Sequence, residues 1–356
     1  MALALSSLAD LRTLAVDEII DVRSPAEFAE DHIPGAVNLP VLSNEERAGV
    51  GTVYVQESRF KARKIGAALV AANAARHLQT YLADKPGGYR PLVYCWRGGQ
   101  RSGSFASILE QIGWRVALLE GGYQTYRRLV VEALYHSKLA NPVVLLDGNT
   151  GSAKTDLLQH LPSLGVQMID LEGLANHRGS IFGAMAGGQP SQKAFESGLA
   201  LAIAALDPAR PLVLEAESSR IGDRTIPPVL WEAMKPAPRI EIATSLAERA
   251  LYLTRAYGDV TSDPGRLDGL IRRLSPLHAK AVIDQWLDLA ATAQFDALAA
   301  GLMAQHYDPR YGKQRASVDR AAATPLPLAR LDKAGLADGA QLLADAVGQM
   351  FGNANS

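Results

Sequence analysis

Cys95, the chain's one cysteine, stands in Tyr94-Cys95-Trp96-Arg97-Gly98-Gly99-Gln100-Arg101-Ser102, directly after the apolar run Pro91-Leu92-Val93-Tyr94. Phe105, Ile108, Leu109 and Ile112 follow at the spacing of one helix face, so a strand delivers the thiol into a glycine-containing loop that ends at a helix N-terminus. The unpaired amides of a helix start, together with Arg97 and Arg101, favour a thiolate and also bind oxyanions. Cys95 is therefore a candidate nucleophile and Arg101 its catalytic companion, in an anion loop made of Trp96, Arg97, Gly98, Gly99, Gln100 and Ser102. A cysteine that only fills a core, the commonest fate of a lone thiol, needs neither two arginines nor two glycines beside it. With a single thiol there is no resolving cysteine, internal disulfide or thiolate-rich zinc site, so any sulfur-linked intermediate must be cleared by an outside molecule.

A second constellation follows Val143-Val144-Leu145-Leu146-Asp147, which reads as a buried parallel strand. Gly148-Asn149-Thr150-Gly151-Ser152-Ala153-Lys154-Thr155 comes at once, and Leu157, Leu158 and Leu161 open a helix. This is a P-loop in its proper setting: successive N–H groups cradle phosphate oxygens, the lysine meets the terminal charge, and the hydroxyl can hold magnesium. Ala153 takes the place usually held by glycine, and alanine is strained wherever φ must be positive. That departure weighs against ordinary nucleotide binding while leaving Lys154 and Thr155 in place. Asp170, with Glu172, follows Val166-Gln167-Met168-Ile169, and Glu215 and Glu217 follow Pro211-Leu212-Val213-Leu214. Carboxylates at strand ends beside a phosphate loop orient magnesium or a nucleophile, although the same residues equally well cap helices or meet arginines. No dedicated metal site and no cofactor is firmly implied. Gly187 to Glu196 reads as a polar loop over a helix start, able to close over a phosphate ester.

The elements that must position these loops are those of two α/β domains. A chain of 356 residues with 48% hydrophobic content supplies two cores. The expected division is residues 1–136, residues 141–300 around the P-loop, and a helical extension over 301–356, with a linker near Ser137 to Pro142. Helical patterns run over Ile242 to Tyr257, Leu267 to Leu274, Ala279 to Leu302 and Leu336 to Met350. Ala321 to Ala329, with Pro325 and Pro327, reads as a turn or loosely attached segment. Between Pro40 and Pro91 an insertion, Arg47 to Tyr81, carries Lys61, Arg63 and Lys64 ahead of an Ala/Leu-rich helix; it is either a solvated face or a polyanion-facing edge.

The 36 basic and 37 acidic residues give a net charge of −1, so the whole chain carries no nucleic-acid signature. RNA binding would need local patches, for which Lys61 to Lys64, Arg127-Arg128, Arg272-Arg273 and Arg310 to Arg320 are the candidates. With no charged leader and no apolar stretch of bilayer length, a cytoplasmic protein without membrane contact is expected. No oligomeric state follows from the sequence.

Glu18-Ile19-Ile20-Asp21-Val22-Arg23-Ser24-Pro25-Ala26-Glu27-Phe28 and His32-Ile33-Pro34-Gly35-Ala36-Val37-Asn38-Leu39-Pro40 resemble the rhodanese family, as does Gly121-Gly122-Tyr123-Gln124-Thr125-Tyr126-Arg127. The cysteine loop is longer than the usual sulfurtransferase loop and resembles that of the phosphatase branch, a width suited to a tetrahedral anion. Joined to the P-loop, Gly188-Gln189-Pro190-Ser191-Gln192-Lys193-Ala194-Phe195-Glu196 and Glu215-Ala216-Glu217-Ser218-Ser219-Arg220-Ile221-Gly222, the pattern resembles the tRNA 2-selenouridine synthase family over residues 10 to 310. The resemblance implies a rhodanese-like parallel-sheet domain followed by a P-loop α/β domain, and a transferase acting on tRNA that carries a 2-thiouridine-type wobble base. It implies geranylation of the sulfur from geranyl diphosphate, then replacement by selenium from selenophosphate, with an enzyme that supplies selenophosphate as partner. On that reading Cys95 accepts selenium or assists its transfer, and the P-loop stabilises a leaving diphosphate. Two rivals stay open: a rhodanese sulfurtransferase fused to an ATP-dependent kinase-like domain, and a non-catalytic phosphate-binding module.

Overall fold

The structure is a computed structural model that describes residues 1–316 and 323–352, so the basic stretch Arg310 to Arg320 and the start of the Ala321 to Ala329 segment lie partly outside the described residues. The chain forms two compact units, Met1–Lys138 with Pro190–Ala205, and Leu139–Gln189 with Leu206–Ser356. The segment 190–205, which the sequence places in the second domain, thus belongs to the first unit.

The first unit is built on a parallel sheet of β1 (Ala2–Leu3), β2 (Glu18–Asp21), β3 (Val37–Asn38), β4 (Pro91–Tyr94) and β5 (Ala117–Leu119), in the order β1-β5-β4-β2-β3. β4 is central and buried along its whole length, as its uninterrupted apolar run requires of a strand covered on both faces. It is followed by the helix Gln100–Gln111, whose Phe105 and Leu109 enter the core, whereas Ile112 at the end of the expected stripe is exposed. The insertion forms two helices, Asn44–Gln56 and Arg59–Gln79, whose inner face contributes Val70 and Ala74 to the same core.

The helix Gln192–Ala204 completes this unit through a polar joint. Asp31, 1% exposed, accepts hydrogen bonds from Tyr123 Oη at 2.6 Å and Ser197 Oγ at 3.0 Å. Arg127 donates to the buried Glu196, which also accepts from Tyr135 Oη at 2.7 Å, and Lys193 pairs with Glu30 at 2.6 Å. Burial pushes the Asp31 carboxyl up, against the pull of Tyr123, Ser197 and Arg127. The Gly187 to Glu196 stretch does not act as one loop over a phosphate: Ser191 accepts from Ala194 N as an N-cap, and Gln189 stays in the second unit, bonding Ala175 O, Ile221 O and Asp223 N.

The second unit is a parallel sheet in the order β12-β11-β6-β8-β7, with β6 (Val143–Asp147) central, β7 (Gln167–Ile169), β8 (Leu212–Glu215), β11 (Arg239–Ala243) and β12 (Thr324–Pro327). A two-stranded antiparallel ribbon, β9 (Arg220–Ile221) and β10 (Arg224–Thr225), lies between β8 and β11 in sequence. The helix expected from Ile242 begins at Leu246, because Ile240 and Ile242 alternate inward as strand residues and Ser245 caps the helix by accepting from Glu248 N. The Pro325/Pro327 segment is an edge strand: two prolines at alternate positions turn their missing donors away from β11, while Leu326 between them is buried. The long C-terminal pattern is also divided, into Lys280–Ala291 and Phe295–Leu302, where Ala293 adopts φ 55°.

The Arg127–Glu196 pair yields a stability prediction. Arg127→Met leaves Glu196, 3% exposed, without its cation, so unfolding in urea should show a loss of about 3 kcal/mol, the range for breaking a buried pair from one side. The double change Arg127→Met/Glu196→Met should recover most of that loss; equal destabilisation by the single and double variants would refute the assignment.

Candidate active site

Cys95 sits at the C-terminal end of β4, where ligands bind in open parallel sheets, and is 3% exposed. Ser102 Oγ lies 3.1 Å from the sulfur and 3.2 Å from Gly99 O, so its one proton serves one of them at a time. The loop backbone is clamped from outside: Tyr123 N donates to Cys95 O at 2.8 Å and Gln124 N to Trp96 O at 3.1 Å. That approach needs glycine. Gly122 has φ 58°, and a Cβ there would stand 2.3 Å from Cys95 O; Gly98 has φ 66°, and a Cβ there would stand 2.8 Å from Leu119 O. The Gly121-Gly122 pair is thus part of the cysteine loop's support and more than a turn.

The two loop arginines differ. Arg97 is exposed. Arg101 is held by Glu27, with Nη1 at 2.8 Å from Oε2 and Nη2 at 3.4 Å from Oε1. Burial would raise the Glu27 carboxyl, but the hydrogen bond and charge of Arg101, the Ser24 amide and Arg47 hold it below the usual range. An anion entering the loop therefore meets Arg97 directly and shares Arg101 with a carboxylate. Arg23, which no sequence signal singled out for a role, is a buried support: it pairs with Asp21 at 2.6 Å and lies 4.0 Å over the Tyr123 ring.

In the second unit, Gly148 to Thr155 runs from β6 into the helix Lys154–His160. Ala153 does adopt the left-handed conformation expected of a glycine, φ 59° and ψ 33°. The backbone penalty of roughly 1–2 kcal/mol is partly offset by burial of its methyl group, worth about 0.8 kcal/mol, so the loop closes in the P-loop form despite the substitution. Asp147 Oδ1 accepts from Gly148 N at 2.7 Å, and Lys154 Nζ donates to Gly148 O at 3.0 Å. Asn149 Oδ1 and Ser152 Oγ are buried without a hydrogen-bond partner among the described residues.

Thr155 Oγ1 faces Glu215 Oε1 at 2.5 Å and Glu172 Oε2 at 3.1 Å, and Glu172, Glu215 and Glu217 bring carboxylate oxygens within 4.8 Å of one another. The structure thus gathers Glu215 and Glu217 into the cluster, while Asp170 lines the same cavity outside it and caps the helix Leu171–Ala175 by accepting from Gly173 N at 2.6 Å. Glu172 takes its place; its offset of two from Asp170 puts it inside the helix that Asp170 caps. Burial and the Glu217 charge push Glu172 up to about 8, while burial followed by Glu172 and Glu217 pushes Glu215 well above the carboxylate range. Burial would likewise depress the Lys154 ammonium, yet Tyr311, Glu217, Glu215 and Glu172 hold it above its ordinary value. Glu215 Oε2 is buried with no partner among the described residues. Crowded oxygens, an orphaned carboxylate atom and a P-loop hydroxyl fit a hard divalent cation such as Mg²⁺.

A cavity of about 650 Å³ is lined by Thr150 to Asp156, Glu172, Arg178, Glu217, Tyr257 and Tyr311. Thr150, Ser180, Leu253, Tyr257 and Tyr307 also line a second, chiefly apolar chamber completed by Phe182, Val260, Leu267, Phe295, Leu298 and Leu302. An anion cradle and an apolar chamber therefore share a wall. Among the described residues no helix is long and apolar enough to cross a membrane.

Residues 141–264 match the family model described as tRNA 2-selenouridine synthase AAA domain, and residues 5–129 match the Rhodanese-like domain. The chain is 35% identical over 335 residues to the tRNA 2-selenouridine synthase of Salmonella newport (strain SL254), covering 85% of this chain and 90% of that protein. It is 40% identical over 246 residues to the protein of that name from Alcanivorax borkumensis, covering 67% of this chain and 66% of the relative. For the protein of that name from Hahella chejuensis the identity is 38% over 246 residues, covering 67% of this chain and 63% of the relative. The chain thus spans just under two thirds of these last two relatives.

The acidic cluster sets a pH dependence. Glu172 titrates near 8 in the folded chain against an ordinary 4.5, so its contribution to stability is fully present below 4.5 and is lost as pH rises through 8. The melting temperature without divalent cation should fall across that window. Mg²⁺ should raise it more at the alkaline end than at the acid end, because the ion competes with protons for the carboxylates. Glu172→Gln should flatten both effects in thermal-shift measurements; an unchanged response would remove the cluster as a cation site.

Proposed function

The chain belongs to the tRNA 2-selenouridine synthase family, and we propose that it replaces the sulfur of a wobble 2-thiouridine in tRNA by selenium in two transfers, one at each loop. In the first, the uridine sulfur attacks the geranyl carbon of geranyl diphosphate, the carbon–oxygen bond breaks, and diphosphate leaves from the P-loop. Lys154 meets the charge that develops on the departing oxygens. Thr155, Glu172, Glu215 and Glu217 would hold Mg²⁺, which supplies charge neutralisation for the diphosphate. The observation that carries this reading is the apolar chamber beside the anion cradle: its lining matches the chemistry of an apolar tail on a diphosphate, whereas a nucleotide base finds little polar surface there.

In the second transfer the cysteine loop takes selenophosphate, delivered by an enzyme that makes it. Alkylation has turned the base sulfur into a neutral thioether, so the selenium of selenophosphate attacks the base carbon, the carbon–sulfur bond breaks with loss of geranylthiol, and water then cleaves the phosphorus–selenium bond and releases phosphate. Selenium stays at the selenide level and no oxidant is required; a selenosulfide on Cys95 would need one. Cys95 is therefore given the movement of a proton to the departing thiol, with Ser102 orienting its sulfur. Arg97 and Arg101 hold the tetrahedral anion, the second by sharing its guanidinium with Glu27.

Two variants separate the stages. Cys95→Ser should accumulate geranylated tRNA and form no selenouridine, because a hydroxyl is a far weaker acid than a thiol; selenouridine at the parent rate, read by nucleoside mass analysis, would remove Cys95 from the chemistry. Lys154→Ala should suppress geranylation by about a hundredfold or more yet still convert tRNA geranylated beforehand. A strict ATP requirement for the first stage would sink the diphosphate reading in favour of the kinase-like rival.

A further inference from the structure

We propose that the helical hairpin Asn44–Gln56/Arg59–Gln79 is an RNA-docking surface, in which Tyr54 and Phe60 stack on unpaired bases while Arg59, Arg63 and Lys64 meet phosphates. The proposal rests on the reading that the substrate is an RNA. Helix Arg59–Gln79 contains five cationic residues, Arg59, Lys61, Arg63, Lys64 and Arg76, and no Asp or Glu, in a chain whose net charge is −1. Four of the five fall in its first turns, at the positive end of the helix dipole, where cations cost stability. Packing does not explain them: Arg63 and Lys64 are exposed with no ion pair among the described residues, and only Lys61 is neutralised, by Glu57.

The same tip exposes large apolar side chains. Phe60 is 76% exposed, Val55 83% and Tyr54 44%, and Arg59 lies 5.5 Å over the Tyr54 ring. Aromatic rings interleaved with cations recognise single-stranded nucleic acid, because every base offers a π face and every linkage a charge. The surface is presented on a fixed base. Asn73 Nδ2 donates to Val41 O at 3.0 Å and Glu46 Oε2 at 2.8 Å, and His77 Nε2 lies 2.9 Å from Pro40 O. Of the basic pairs elsewhere in the sequence, Arg127 is held by the buried Glu196 and Arg272 by Asp268.

The test uses the full chain and a synthetic anticodon stem-loop carrying 2-thiouridine, with affinity measured across a salt series. Arg63→Glu/Lys64→Glu should weaken binding and flatten the slope of log affinity on log salt by about 1.4 to 1.8, two phosphate contacts' worth. Phe60→Ala should weaken binding about tenfold with the slope unchanged, as loss of one stacking platform predicts. Melting temperatures should stay level, since none of these side chains is packed. Wild-type binding with all variants unaffected overturns the hairpin alone, and a wild type that does not bind the RNA overturns the substrate reading with it. Variant-sensitive binding to phosphatidylserine vesicles with RNA binding intact would make the surface a membrane contact and overturn the proposal.

Discussion

A parallel sheet makes its central strand end in a loop that must turn back into a helix, and in both units that turn depends on backbone in the left-handed region. Gly98 supplies it after β4, and Gly151 and Ala153 supply it after β6. The rest of each site hangs on that turn. In the first unit it lets the helix Gly122–Val131 bring its first amides onto Cys95 O and Trp96 O, which fixes the thiol beside Ser102. In the second it brings Lys154 back over Gly148 O and turns the Thr155 hydroxyl toward the carboxylates of β8 and its neighbours.

Both loops were legible because their signals are local. Strand, glycine loop and helix follow one another within some twenty residues, and neither Cys95 nor Lys154 needs a distant partner to be recognised. Long-range pairing was not legible. That Arg101 is shared with Glu27 depends on β2 lying beside β4, and that Glu172 joins Glu215 depends on β7 lying beside β8. Neither neighbour relation is written in the spacing of the residues concerned. The misread segments have the same origin: Ile242 carries both a strand and a helix period until β12 pairs with it, and Pro325 and Pro327 look like a break until β11 offers an edge on which their missing donors cost nothing.

Charge is handled differently at the two loops. Glu27 arrives with its own cation, and its carboxyl is held low. Glu172, Glu215 and Glu217 share one ammonium, Lys154, and are held high. The first loop is a satisfied structure that a ligand must compete to enter. The second is an unsatisfied one, in which a cation with a diphosphate would relieve repulsion already present.

The helix Gln192–Ala204 gives the molecule a property that a list of its domains would hide. The backbone leaves the first unit after Lys138, returns at Pro190 and leaves again after Ala205, so the units are joined by three covalent threads where a simple tandem has one. Two ancestral modules joined end to end would be modular: either could be excised, transplanted or lost. Here a cut between residues 138 and 139 would part Arg127, Asp31 and Tyr135 from Glu196 and Ser197, which would stay on the other fragment. The arrangement is interleaved: the helix that completes the first unit is reached only after the chain has already built the second unit's P-loop.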